Sequence, residues 1–127
     1  MKILIADDSA TARFFCIRCL GAAGCLDAEF IEVADGAEAL ALINEQKFDL
    51  LVTDLMMPGI DGIELLRRVK DNEATAYLPV IVVSSAGNPA QEEKLKNLGA
   101  IAVLGKPVKP GALASATETI PGFDGET

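Results

Sequence analysis

The feature that most constrains this chain is a repeated alternation of short apolar runs with longer amphipathic segments. The runs at Lys2 to Ala6, Phe30 to Val33, Leu50 to Thr53, Val80 to Val83 and Ala100 to Leu104 are rich in Val, Ile and Leu, and each is predicted to be a strand. Most are apolar at successive positions, as expected of strands covered on both faces. The stretches between them have helical periodicity. In the first, Ala12, Phe15, Cys16, Cys19 and Ala23 follow the spacing of a buried helical face, and in the third Ile63, Leu66 and Val69 do the same. Asp35, Asp61 and Asn88 each stand three residues before a Glu or Gln, where both side chains can satisfy free backbone N–H groups at a helix start. Pro89 fits a first helical position, and Gly99 a helix end.

Strands alternating with helices through short loops imply a parallel sheet with helices on both faces, because each crossover helix must pack on the sheet. The expected fold is therefore α/β, a three-layer, doubly wound sheet of five strands. The last helix is the weak element. Pro110, Gly111, Thr117, Thr119 and Pro121 leave a segment from Pro110 to Thr119 with only Leu113 and Ala116 or Thr117 to bury. Either this helix is short, or the chain is the front of a longer protein.

In such open sheets the ligand crevice lies at the carboxyl ends of the strands, where the strand order reverses. The side chains at those ends are Asp7 and Asp8, then Asp54, Ser84 and Lys106. Alone, each has an ordinary explanation as a cap, turn or loop residue; their common position changes that. Carboxylates within about 4 Å repel by roughly 4 kcal/mol per pair at an effective dielectric of 20, so the cluster needs a neutralising partner. Hard carboxylate oxygens without thiolate or imidazole select Mg²⁺ or Mn²⁺, and Lys106 supplies further positive charge. The set suits phosphoryl transfer, with Asp54 as the nucleophile that becomes an acyl phosphate.

Composition removes competing classes. With no histidine in 127 residues, Ser-His-Asp and Cys-His catalysis, imidazole zinc sites and a phosphohistidine on this chain are excluded. A net charge of −8 argues against direct nucleic-acid binding, which needs clustered Lys and Arg. The opening Met-Lys-Ile-Leu-Ile-Ala-Asp-Asp meets charge too early for a secretory signal, and no apolar run approaches the roughly 18 residues of a membrane span. A cytoplasmic protein without membrane insertion is expected. Cys16, Cys19 and Cys25 are odd in number and fall within or just after a helical pattern, so Cys16 and Cys19 are expected to be small buried hydrophobes.

The order Asp7-Asp8-Ser9, Thr53-Asp54-Leu-Met-Met-Pro58-Gly-Ile-Asp61-Gly62, Pro79-Val-Ile-Val-Val-Ser84-Ser85-Ala86 and Lys106-Pro107 resembles the response-regulator receiver domains of the CheY-like kind, over residues 2 to about 109. Uninterrupted by repeat or linker, the sequence reads as one domain over residues 1–120 with a tail over 121–127, and the resemblance implies strand order 2-1-3-4-5. It implies Asp54 as phosphoacceptor and Asp7, Asp8, Asp54 and the Met56 backbone carbonyl as the protein's share of a metal shell. Ser84 would hydrogen-bond one phosphoryl oxygen, Lys106 would pair with another, and the small Ser85 would admit the phosphoryl group. The Lys106-Pro107 peptide would be cis. The implied partners are a sensor histidine kinase or a phosphotransfer protein, and a downstream target protein whose identity is open. The domain would catalyse only its own phosphorylation and dephosphorylation.

Val103 departs from the family, which often carries Tyr or Phe there to turn inward as the hydroxyl residue moves. Met56 and Ala86 lie two residues beyond Asp54 and Ser84 and are apolar; neither can orient a hydrolytic water, so slow self-dephosphorylation is expected. A haloacid-dehalogenase-like phosphatase would want Asp where Met56 stands. A flavodoxin would want a Ser/Thr/Gly phosphate loop in place of Asp7-Asp8. A receiver within a larger multidomain regulator, or a receiver fold used as an interaction module, stays open.

Overall fold

A computed structural model describes residues 1–24, 27–85 and 88–120. Its elements run β1 (Lys2–Ala6), α1 (Ala10–Ala22), β2 (Glu29–Val33), α2 (Gly36–Glu45), β3 (Leu50–Asp54), α3 (Gly62–Asp71), β4 (Val80–Ser84), α4 (Pro89–Asn97), β5 (Ala102–Gly105) and α5 (Pro110–Thr117). The strands form one parallel sheet in the order β2-β1-β3-β4-β5, so the chain leaves β1 toward one edge and returns beside it to build the other. This reversal lies between β1 and β3, whose register pairs Ala6 with Thr53. The expected tail, 121–127, lies outside the described residues.

Alternation along each strand divides the apolar residues between two cores. Leu4, Leu51, Val80 and Val82 join α2, α3 and α4 through Ile43, Leu66 and Leu95. Ile3, Ile5, Leu50, Val52, Ile81 and Val83 face α1 and α5 through Cys16, Leu20 and Leu113. Burying a Leu or Ile side chain contributes about 1.5–3 kcal/mol, so two filled layers on one sheet are the principal source of stability. The same period of two carries beyond the core. Asp7 follows Ile3 and Ile5, and Asp54 follows Leu50 and Val52, so both extend the α1/α5 side of the sheet.

All three caps form. Asp35 accepts from Glu38 N–H at 2.8 Å, Asp61 from Glu64 N–H at 2.9 Å, and Asn88 from Ala90 and Gln91 N–H at 3.0 and 3.2 Å. The reverse half of the expected box differs. Glu38 reaches back to Ala34 N–H, one residue before the cap, whereas Glu64 turns to Arg68 at 2.9 Å.

Two expectations are corrected. The last strand begins at Ala102 rather than Ala100, because Ala100 N–H donates to Leu95 O at 3.1 Å and is spent closing α4 around Gly99, whose φ is +117°. On α1, Phe15 is 46% exposed while Leu20 is fully buried. Phe15 stands near the middle of α1 and lines a cavity, so much of its ring meets open space rather than a packed neighbour. Cys16 and Cys19 are buried free thiols as expected, and Cys25 lies outside the described residues. The short α5 buries Leu113 and Thr117.

Candidate functional site

The carboxylates meet at the reversal point. One oxygen each from Asp7, Asp8 and Asp54 lies within 4.8 Å of the others. Lys106 reaches in from beyond β5 and places Nζ 3.2 Å from Asp7 Oδ2 and 3.2 Å from Asp54 Oδ2. Asp7 and Asp54 are only 5% and 7% exposed, so these charges interact in a poorly screened setting, while Asp8 is exposed.

Each side chain is placed by backbone contacts nearby. Asp7 Oδ1 accepts from Ser9 N–H at 2.9 Å, leaving Oδ2 for Lys106. Arg13 donates to the Asp7 carbonyl at 2.6 Å while pairing with Glu32, which ties the loop after β1 to α1 and to β2. Lys106 N–H donates to Ser84 O at 3.0 Å, and the Lys106-Pro107 peptide is cis. Ser84 ends β4 as a buried residue and lines a smaller cavity of about 60 Å³ with Leu95 and Val103. Ser85 is exposed, and Met56 is 70% exposed beside the acidic cluster. Ala86 lies outside the described residues.

Charge crowding leaves a titration signature. Burial, followed by the neighbouring Asp7 charge, pushes the Asp54 carboxyl above its ordinary value, against weaker opposing pulls from Lys106 and the Met56 N–H. Burial alone would lower Lys106, but hydrogen bonds and attraction from Asp7 and Asp54 outweigh it and raise it. Desolvation, with smaller contributions from Cys19 and Asp7, holds the Cys16 thiol at about 12, so Cys16 is inert as a nucleophile at neutral pH. Three hard oxygen donors in one cluster, with none of the soft ligands that favour zinc, fit a small divalent cation.

Sequence reasoning missed Arg13 and Gly62. A Cβ on Gly62 would stand 2.5 Å from the Asp54 carbonyl oxygen, so only glycine lets α3 begin this close to the end of β3. The Asp61-Gly62 pair could have signalled it; nothing local marks Arg13 as an anchor for Asp7.

A buried Asp at a strand tip, flanked by two further carboxylates and one lysine on a doubly wound sheet, defines a class, and comparison with known proteins gives the same class. The family model of the response regulator receiver domain matches residues 3–118, and the chain belongs to that family. It is 38% identical to the chemotaxis protein CheY of Pseudomonas aeruginosa over 113 residues, 87% of this chain and 85% of that protein. It is 35% identical to a gliding motility regulatory protein of Myxococcus xanthus over 109 residues, 84% of this chain but 13% of that protein. Among solved structures, the chemotaxis response regulator CheY4 of Vibrio cholerae superposes with a TM-score of 0.80 at 29% identity, covering 94% of this chain and 97% of that one. The chain is thus a CheY-like receiver domain of two-component response regulators. Among the described residues no helix is long and apolar enough to cross a membrane.

Proposed function

We propose that this domain accepts a phosphoryl group on Asp54 from a histidine kinase or a phosphotransfer protein, and signals to a downstream protein through the resulting conformational change. The observation that carries this reading is the buried Asp54 carboxylate 3.2 Å from Lys106 Nζ, with Asp7 and Asp8 oxygens beside it. An Asp54 carboxylate oxygen attacks phosphorus, the bond from phosphorus to the donor nitrogen breaks, and its electron pair leaves with the imidazole. Lys106 is placed to pair with a phosphoryl oxygen in the transition state, when negative charge spreads over the equatorial oxygens. The Ser84 hydroxyl takes a second oxygen.

Asp7, Asp8, Asp54 and the Met56 carbonyl would hold Mg²⁺ or Mn²⁺, which supplies electrostatic neutralisation of the incoming phosphoryl group. The domain catalyses only its own phosphorylation and hydrolysis, and works in the cytoplasm, where its donor presents the phosphohistidine. The Myxococcus relative, of which this chain spans 13%, favours a second setting, in which the same acceptor chemistry serves a larger regulator.

Incubation with acetyl phosphate and Mg²⁺ followed by intact-mass measurement tests the reading. Wild type gains one phosphoryl group and Asp54→Asn gains none. An equal increment on both proteins would place the acceptor elsewhere.

A further inference from the structure

A cavity of about 450 Å³ opens between the sheet and the N-terminal half of α1. Ile5, Val52, Val83, Ala12 and Cys16 line much of it, and Pro107 and Val108 close one side from the segment between β5 and α5. This is within the roughly 300–1,000 Å³ range of small-molecule sites, and an apolar body with a few polar groups gathered in one place is their usual make-up. Here those groups are Asp7, Asp54 and Lys106, which also line the cavity. The phosphoryl chemistry above uses the polar groups and leaves the apolar body without a role. Phe15, also in the lining, is 46% exposed, so a ligand ring seated there would cover apolar surface that the fold leaves wet.

The charge at the polar groups selects the ligand. The two lining carboxylates against one ammonium leave a formal net charge of −1, and the Asp8 carboxylate just outside the lining adds to it, which repels an anionic headgroup and attracts a cationic one. We propose that this cavity is a binding site for a small amphipathic amine, with its ring among Ile5, Val52, Val83 and Phe15 and its ammonium against Asp7 and Asp54. Because the same carboxylates are the candidate metal ligands, amine and divalent cation compete. The site is a property of the metal-free domain and does not depend on Asp54 being the phosphoacceptor.

Methyl-resolved NMR of the metal-free full chain tests this with three probes of one ring size: tryptamine, neutral indole and the anionic indole-3-propionate. Tryptamine is expected to shift the Ile5, Val52, Val83 and Val108 methyls saturably, and to bind about tenfold more tightly than indole-3-propionate. Mg²⁺ reverses the tryptamine shifts. Ala12→Leu, which fills the cavity from α1, loses them while keeping its circular dichroism spectrum. Equal binding of the carboxylate analogue, tryptamine shifts untouched by Mg²⁺, or no saturable shift at these methyls overturns the proposal. The acetyl phosphate reaction, run without amine, reports separately on the phosphoacceptor reading.

Discussion

Burial and then Asp7 disfavour the ionised form of Asp54, so in the absence of a cation its charge is expected to cost the fold stability. A carboxyl whose folded pKa lies above its unfolded value binds more protons in the native state across the interval between the two. Stability is therefore lost as pH rises through the folded pKa. Asp54→Asn is expected to stabilise the chelator-treated protein at neutral pH, on the order of 1 kcal/mol. The gain shrinks as pH falls through the carboxylate range, and urea denaturation at several pH values measures it. A gain that stays constant with pH would assign it to something other than this charge. Met56, exposed beside the cluster, is expected to govern a second property at this scale. Met56→Asn, which can orient water, is expected to shorten the lifetime of the acyl phosphate, as followed by loss of the intact-mass increment. The strand-end positions of Asp7, Asp8, Asp54, Ser84 and Lys106 were legible because each stands at the end of a recognisable strand or within two residues of it. Arg13 was not, since its bond to the Asp7 carbonyl exists only once α1 has packed.

At the scale of elements, α3 shows how the fold holds the end of β3. Asp61 caps the helix, and Gly62 N–H donates to Leu55 O at 2.8 Å, fixing the helix start to the residue after Asp54. Gly62→Ala would drive a methyl group against the Asp54 carbonyl and Leu55 Cα, 2.5 and 2.8 Å from its position. This overpacking against backbone is expected to cost about 3 kcal/mol, compared with about 1 kcal/mol for the lost cap in Asp61→Ala. Urea midpoints of the two variants compare them directly; a Gly62→Ala protein as stable as wild type would contradict the close approach. The forward caps at Asp35, Asp61 and Asn88 could be read because capping is local chemistry. The fate of Glu64 could not, as Arg68 one turn along competes for it. The start of β5 was misplaced for a related reason: Ala100 has strand-like neighbours in sequence but gives its N–H to α4.

At the scale of the whole molecule, alternation of strand and helix predicts the layers, and period-two burial predicts that each strand feeds two cores. The strand order came from resemblance to a family, because apolar patterns state that strands pair without stating which ones. That order matters, since it brings the tips of β1 and β3 side by side and gathers Asp7, Asp8 and Asp54 from distant points in the chain. The exposed face of Phe15 was not legible either: helical spacing marks which residues share a side, not whether another element covers that side.

The most direct measurement is anomalous diffraction from a crystal soaked in Mn²⁺. The account predicts a single strong peak bonded to oxygens of both Asp8 and Asp54, at about 2.0–2.3 Å as for small hard cations, with Lys106 Nζ alongside but not bound to it. A peak held by Asp8 alone, or Asp54 turned away from the ion, would contradict it.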